Sequence, residues 1–263
     1  MSSNSSNKPK ATVPKRGLPP LARTIVFCLA LPAWVFLGFM LAQVLVLLLV
    51  EALQFIGVPL EQINASLFQV IAGGIIYAFA LLIVIGGPWL IKKSRTPKKQ
   101  LGIHRLPTWL DIGWVPVGVI GYIILTSLVT SIALVLLPFI DYTQAQDTGF
   151  QNLSGQGEYI LAFLMLVIIA PVAEELLFRG YLLGKLRAHA PLWVAIIITS
   201  LIFAVVHFAW NVGVDVFALS IALCILRVAS GSLWPSILLH MLKNGLAFYL
   251  LFINPTFLST LGG

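Results

Sequence analysis

Seven long apolar stretches, 25–49, 66–91, 110–137, 159–178, 192–208, 214–228 and 233–253, constrain this chain more than anything else in it. A backbone inside hydrocarbon has no water to bond. It must satisfy its N–H and C=O groups internally, as a helix or a closed barrel. A spanning helix takes about 20 apolar residues, whereas a barrel strand takes about half that. These runs have helical length, so the expected fold class is an all-α polytopic membrane protein with about seven transmembrane helices. The fifth and sixth runs are short, and they are expected to be tilted, broken or partly re-entrant. Composition agrees: 59% of residues are hydrophobic, 10% are charged and the mean hydropathy is +1.00. A soluble domain carries about 25% charged residues. Little of this chain is left for an extramembrane domain.

The formal net charge of +7 does not point to nucleic acid, because the basic residues cluster beside apolar spans without interleaved aromatics. Lys8, Lys10, Lys15, Arg16 and Arg23 precede the first span. Lys92, Lys93, Arg95, Lys98, Lys99 and Arg105 fill the loop after the second. Lys185 and Arg187 follow the fourth, and Arg227 ends the sixth. With the N-terminus cytoplasmic, all of them fall on one side. The opposite loops carry Glu51, Glu61, Asp141, Asp147, Glu158 and Asp215. That segregation follows the positive-inside rule and gives the bilayer, with its anionic lipid, as the expected partner. Residues 1–24 read as a disordered basic cytoplasmic tail. The apolar run behind it exceeds a signal-peptide core and ends in no A-x-A site, so it reads as an uncleaved anchor. Residues 25–158 hold the first three spans, 159–253 the last four, and 254–263 form a tail on the outer side. Cys28 and Cys224 lie in apolar runs and read as small buried residues.

Polar groups inside the spans carry the functional signal. Glu174, Glu175 and Arg179 end the apolar run 160–172. An Asp, Lys or Arg at a bilayer centre costs roughly +2.5 to +3.5 kcal/mol, so such groups are kept for chemistry or transport. Glu175 and Arg179 are four apart, in the favoured acid-first order. Glu174 points about 100° away and is free to face a cavity, where burial and a nearby guanidinium suit a carboxylate to general-base work. Pro171 is expected to free a carbonyl one turn earlier and kink the helix ahead of the glutamates. Phe203 and His207, and His240 and Asn244, form two further i,i+4 pairs, each on one helix face. Intramembrane ionisable groups face the bundle interior, which would bring the three helices' groups together. Lys243 is expected to counter a glutamate or to snorkel outward. The sequence contains no H-E-x-x-H, G-x-S-x-G or phosphate-cradling glycine loop.

The words EExxxR (Glu174, Glu175, Arg179), FxxxH (Phe203, His207) and HxxxN (His240, Asn244), in that order on successive spans, resemble the CPBP family. Its members are the CAAX proteases and bacteriocin-processing enzymes, also called Abi proteins. FRGYLL at 178–183 and LWPSILLH at 233–240 are similar to bacterial members. The resemblance covers residues 160–252 and makes 159–253 the catalytic core of a CAAX protease-like (Abi) helical bundle in a bacterial plasma membrane. It implies an intramembrane endopeptidase acting on a membrane-associated peptide or protein. Glu174 would activate water with His207, His240 and Asn244 would stabilise the oxyanion, and Glu175, Arg179 and Phe203 would support the site. The family has been labelled a metalloprotease, and Glu174, His207 and His240 would be the zinc set. Asn is a poor zinc ligand and a good oxyanion donor, so the metal-free scheme is favoured and no cofactor is expected. Two other function classes compete: a non-catalytic bacteriocin immunity or scaffold protein, and a proton-coupled transporter. The missing internal repeat argues against the transporter.

Overall fold

The computed structural model describes residues 19–141, 150, 153 and 155–256. Most of the expected N-terminal tail, Asp147 and the end of the C-terminal tail lie outside them. The described chain is all-helical, with no strand. In order it forms α1 (Pro20–Phe55), α2 (Ala65–Lys92), a short α3 (Lys98–Leu101), α4 (Trp109–Leu136), α5 (Gln156–Leu186), α6 (Leu192–Val205), α7 (Trp210–Ser230) and α8 (Trp234–Ile253). Among the described residues six helices are long and apolar enough to cross a membrane: α1, α2, α4, α5, α7 and α8.

Local chemistry sets several of the ends. Asn64 caps α2 by accepting the Leu67 N–H at 3.1 Å, the N-cap bond that helix starts favour. Asn64 also donates to Glu158 on the first turn of α5 at 2.6 Å, tying α2 to α5. At the start of α4, Asp111 accepts the Thr108 N–H at 2.7 Å and pairs with Arg105, where the helix dipole favours a carboxylate.

The fifth and sixth spans differ from their expected bounds. α6 stops at Val205, after 14 residues, about 21 Å at 1.5 Å per residue, against a hydrocarbon core of about 30 Å. The turn tightens there: His207 N–H reaches back to Ala204 and Phe208 N–H to Val205, and Phe208 takes the left-handed conformation with φ 51°. α7 then begins at Trp210, earlier than expected, and runs 21 residues. Asp215 is therefore a helix residue and not a loop residue.

α5 and α7 form the interior. Half of the most apolar window of α7 is buried and 39% of that of α5, against 6% for α4, whose flank is dressed with exposed Ile and Leu. α4 meets the interior through Gly118. A β-carbon there would lie 2.5 Å from Leu226 Cδ1 and 2.9 Å from Leu239 Cδ2, so the missing side chain is what admits α7 and α8. Small residues serve close helix approach in this way throughout membrane proteins. Gly118→Leu is expected to splay α4 from α7 and α8 at a cost of about 1–3 kcal/mol, read as a lowered melting temperature of the purified protein.

Candidate active site

The carbonyl ladder of α5 is disturbed where the sequence places Pro171. Residues Leu164–Ile169 form a wide π turn, the kind of local insertion that often marks functional sites. The Ala170 N–H bonds back five residues, to Met165, and residue 171 is proline, with no N–H. The Leu166 carbonyl is thus missed by both backbone donors that would normally reach it. Asn244 of α8 supplies the bond instead: its Nδ2 donates to Leu166 O at 2.9 Å. The expected break ahead of the glutamates is present as a widened turn, and it orients one of the motif side chains.

One turn further on, Glu174 and Glu175 part company as the helical rotation requires. Glu175 is fully buried. Its Oε1 accepts from Arg179 Nη1 at 2.8 Å and from His240 Nδ1 at 2.9 Å. Arg179, equally buried, lays its guanidinium over the Phe203 ring at 4.0 Å, a cation–π contact that offsets part of its desolvation. Phe203 also meets the edges of His207 and His240, at centroid distances of 4.9 and 5.9 Å. Four residues from α5, α6 and α8 thus form one packed unit.

Glu174 turns to the other side, into a cavity of about 390 Å³ lined also by His207, His240, Lys243 and Asn244. The structure therefore brings all four expected catalytic side chains to a single cavity. Tyr77 of α2 donates its hydroxyl to Glu174 Oε1. Glu174 Oε2 lies 3.7 Å from His240 Nε2. His207 sits past the end of α6, in the turn, so it and Phe203 share a helix end and not the helix face that their spacing suggested. Its Nδ1 bonds the Phe203 carbonyl at 2.7 Å. A carbonyl only accepts, so Nδ1 carries the proton and Nε2 is left as the ring's free nitrogen.

Lys243 does not counter a glutamate. Its Nζ is 3.5 Å from Asp215, and Asp215 also accepts from Tyr122 at 2.6 Å and Thr126 at 2.8 Å. Among the described residues no group of three His, Cys, Asp or Glu is arranged to hold a metal ion. Glu174 Oε1 is already taken by tyrosine, and one nitrogen of each histidine is engaged. Glu174 Oε2 and the Nε2 atoms of His207 and His240 are left for chemistry, and the steps below are derived for these side chains alone.

Sequence reasoning missed Tyr77, and with it Phe39 and Gln43 of α1 on the cavity wall. The available signal was a tyrosine in mid-span, whose hydroxyl needs a partner when buried.

A family model described as "Type II CAAX prenyl endopeptidase Rce1-like" matches residues 156–246. The UPF0177 protein YxdF of Lactococcus lactis subsp. lactis is 35% identical over 132 residues, covering 49% of this chain and 68% of that protein. An uncharacterized 24.3 kDa protein of Escherichia coli is 34% identical over 89 residues, covering 32% of this chain and 41% of that protein. No solved structure matches.

Arg179→Ala is expected to strand the Glu175 carboxylate and cost about 3–5 kcal/mol, as breaking one half of a buried pair does. Thermal unfolding in detergent would register it as a large fall in melting temperature, while Lys92→Ala, at an exposed position, leaves the melting temperature unchanged.

Proposed function

This chain belongs to the Rce1-like family of type II CAAX prenyl endopeptidases, and we propose on that premise that it hydrolyses a peptide bond in a membrane-associated peptide or protein, within the bilayer. The observation that carries the reading is the convergence of Glu174, His207, His240 and Asn244 on one cavity inside an otherwise apolar bundle.

Glu174 is the general base. Tyr77 fixes one carboxylate oxygen, and the other takes a proton from water as the water oxygen attacks the scissile carbonyl. The free Nε2 of His207 accepts the second hydrogen bond of that water and orients it. The carbonyl oxygen becomes an oxyanion. Asn244 meets it with the amide N–H not used on Leu166, and His240 meets it with an Nε2–H when the ring is doubly protonated, its Nδ1–H staying on Glu175. Collapse of the tetrahedral intermediate breaks the C–N bond, and the proton held by Glu174 passes to the leaving amine. Every donor is fixed in advance by packing, the condition under which an oxyanion hole contributes most. Lys243, tied to Asp215, has no part in the step. The enzyme works with its basic loops and N-terminus in the cytoplasm of a bacterium, and it needs no metal.

Cleavage of a tagged membrane peptide by the reconstituted protein tests the assignment. Glu174→Gln is expected to abolish turnover with an unchanged melting temperature, and full retained turnover would remove Glu174 from the role of base. Asn244→Ala is expected to lower kcat by about 10²–10³-fold, the usual effect of removing one oxyanion donor. Metal analysis of the purified protein, with turnover followed in chelator, is expected to find no stoichiometric zinc and no loss of activity.

A further inference from the structure

We propose that the groove between α3 and the facing ends of α5, α6 and α7 binds a phosphate group, the headgroup of an anionic phospholipid being its source in the membrane. The argument starts from Arg227, near the end of α7. It is 1% exposed. One nitrogen, Nη2, donates to the Gln100 carbonyl at 3.0 Å. Nε and Nη1 have no partner. The guanidinium is pressed against Gly102, where a β-carbon would come within 2.6 Å of Cζ and Nε and where φ is +83°. Only glycine accommodates both the backbone and the neighbour.

A buried guanidinium in a membrane protein needs a counter-charge, and the chain does not supply one. It has nine carboxylates. Asp111 is taken by Arg105, Glu175 by Arg179 and Asp215 by Lys243, while Glu174 faces Tyr77. Glu51, Glu61, Asp141, Asp147 and Glu158 belong to the opposite end of the bundle by their place in the sequence. The charge that does act on Arg227 is another cation, Arg187. Among the described residues none of Arg227, Arg187 and Lys99 is ion-paired.

Arg187 and Lys99 line a groove of about 640 Å³ with Pro97, Leu192, Val228 and Gln100; Arg227 does not line it and is linked to it through its bond to the Gln100 carbonyl. Cations and aliphatic carbons lining one groove suit a phosphodiester with an acyl chain attached. The groove lies at the basic-loop face, the level of the headgroups. The positive-inside rule accounts for exposed loop lysines, but not for a buried arginine behind a cleft. A phosphate held there would neutralise the cluster that joins α3 to α5 and α7. Free phosphate shares the charged half of this chemistry and lacks the tail.

The test uses the full chain in nanodiscs of phosphatidylcholine alone, of phosphatidylcholine with phosphatidylglycerol, and of phosphatidylcholine with inorganic phosphate in the buffer. Phosphatidylglycerol is expected to raise the melting temperature by about 5 °C, the size of shift that a saturating ligand gives a chain of this length. The exposed-site variant Lys99→Ala/Arg187→Ala is expected to lose the rise. Lys92→Ala/Lys93→Ala, on the same face but outside the groove, is expected to keep it. A rise with inorganic phosphate that also needs Lys99 and Arg187 supports the site and makes free anion a second source. No rise with either, or a rise that both variants keep or both lose, overturns the proposal, because the effect would then be absent or a property of the whole basic face.

Discussion

Glu175 and Arg179 sit without exposed surface in a bundle surrounded by hydrocarbon, and their mutual neutralisation dictates how the last four helices pack. An ion pair taken fully from water is tolerated only when the geometry is good and the remaining polar atoms find partners. The carboxylate meets this with one oxygen, shared between Arg179 and His240, while its Oε2 has no partner; the His240 bond orients α8. The guanidinium satisfies it in part with the face of Phe203, which fixes the depth of α6. With those two choices made, His207 and Asn244 have little freedom. The residues assigned to catalysis are therefore held by a neighbour whose own role is electrostatic balance.

That balance explains why adjacent glutamates have such different surroundings. One residue of helix separates them, about 100° of rotation. This is enough to put Glu175 against Arg179 and Glu174 against a cavity with Tyr77. The same carboxylate chemistry is locked in one case and accessible in the other.

Much of this was legible in the sequence, and the gaps have physical reasons. The apolar runs announced an all-helical membrane bundle, because lipid leaves the backbone no alternative. The acid–base spacing at Glu175 and Arg179 announced the pair. The bounds of α6 and α7 were not legible, since the run 192–208 stays apolar past Val205 and the helix is ended by a left-handed Phe208, a residue that carries no stop signal of its own. Pro171 signalled a freed carbonyl, but one sequence could not say that Asn244, on another helix, would take it. Tyr77 showed only as a mid-span tyrosine in need of a partner, and its meaning lies in what it faces. Asp215 was counted with the loop charges because it stood at the edge of the expected sixth span, and its pairing with Lys243 was missed with it.

The abrupt end of α6 also bears on the surrounding bilayer. A helix about 21 Å long stands where lipid tails fill about 30 Å, and the tails beside it must bend, shorten or draw headgroups inward to avoid a void. A slab dimpled at that flank is what so short a helix calls for. The truncated segment makes the seating of this bundle depend on how thick and how deformable its host membrane is.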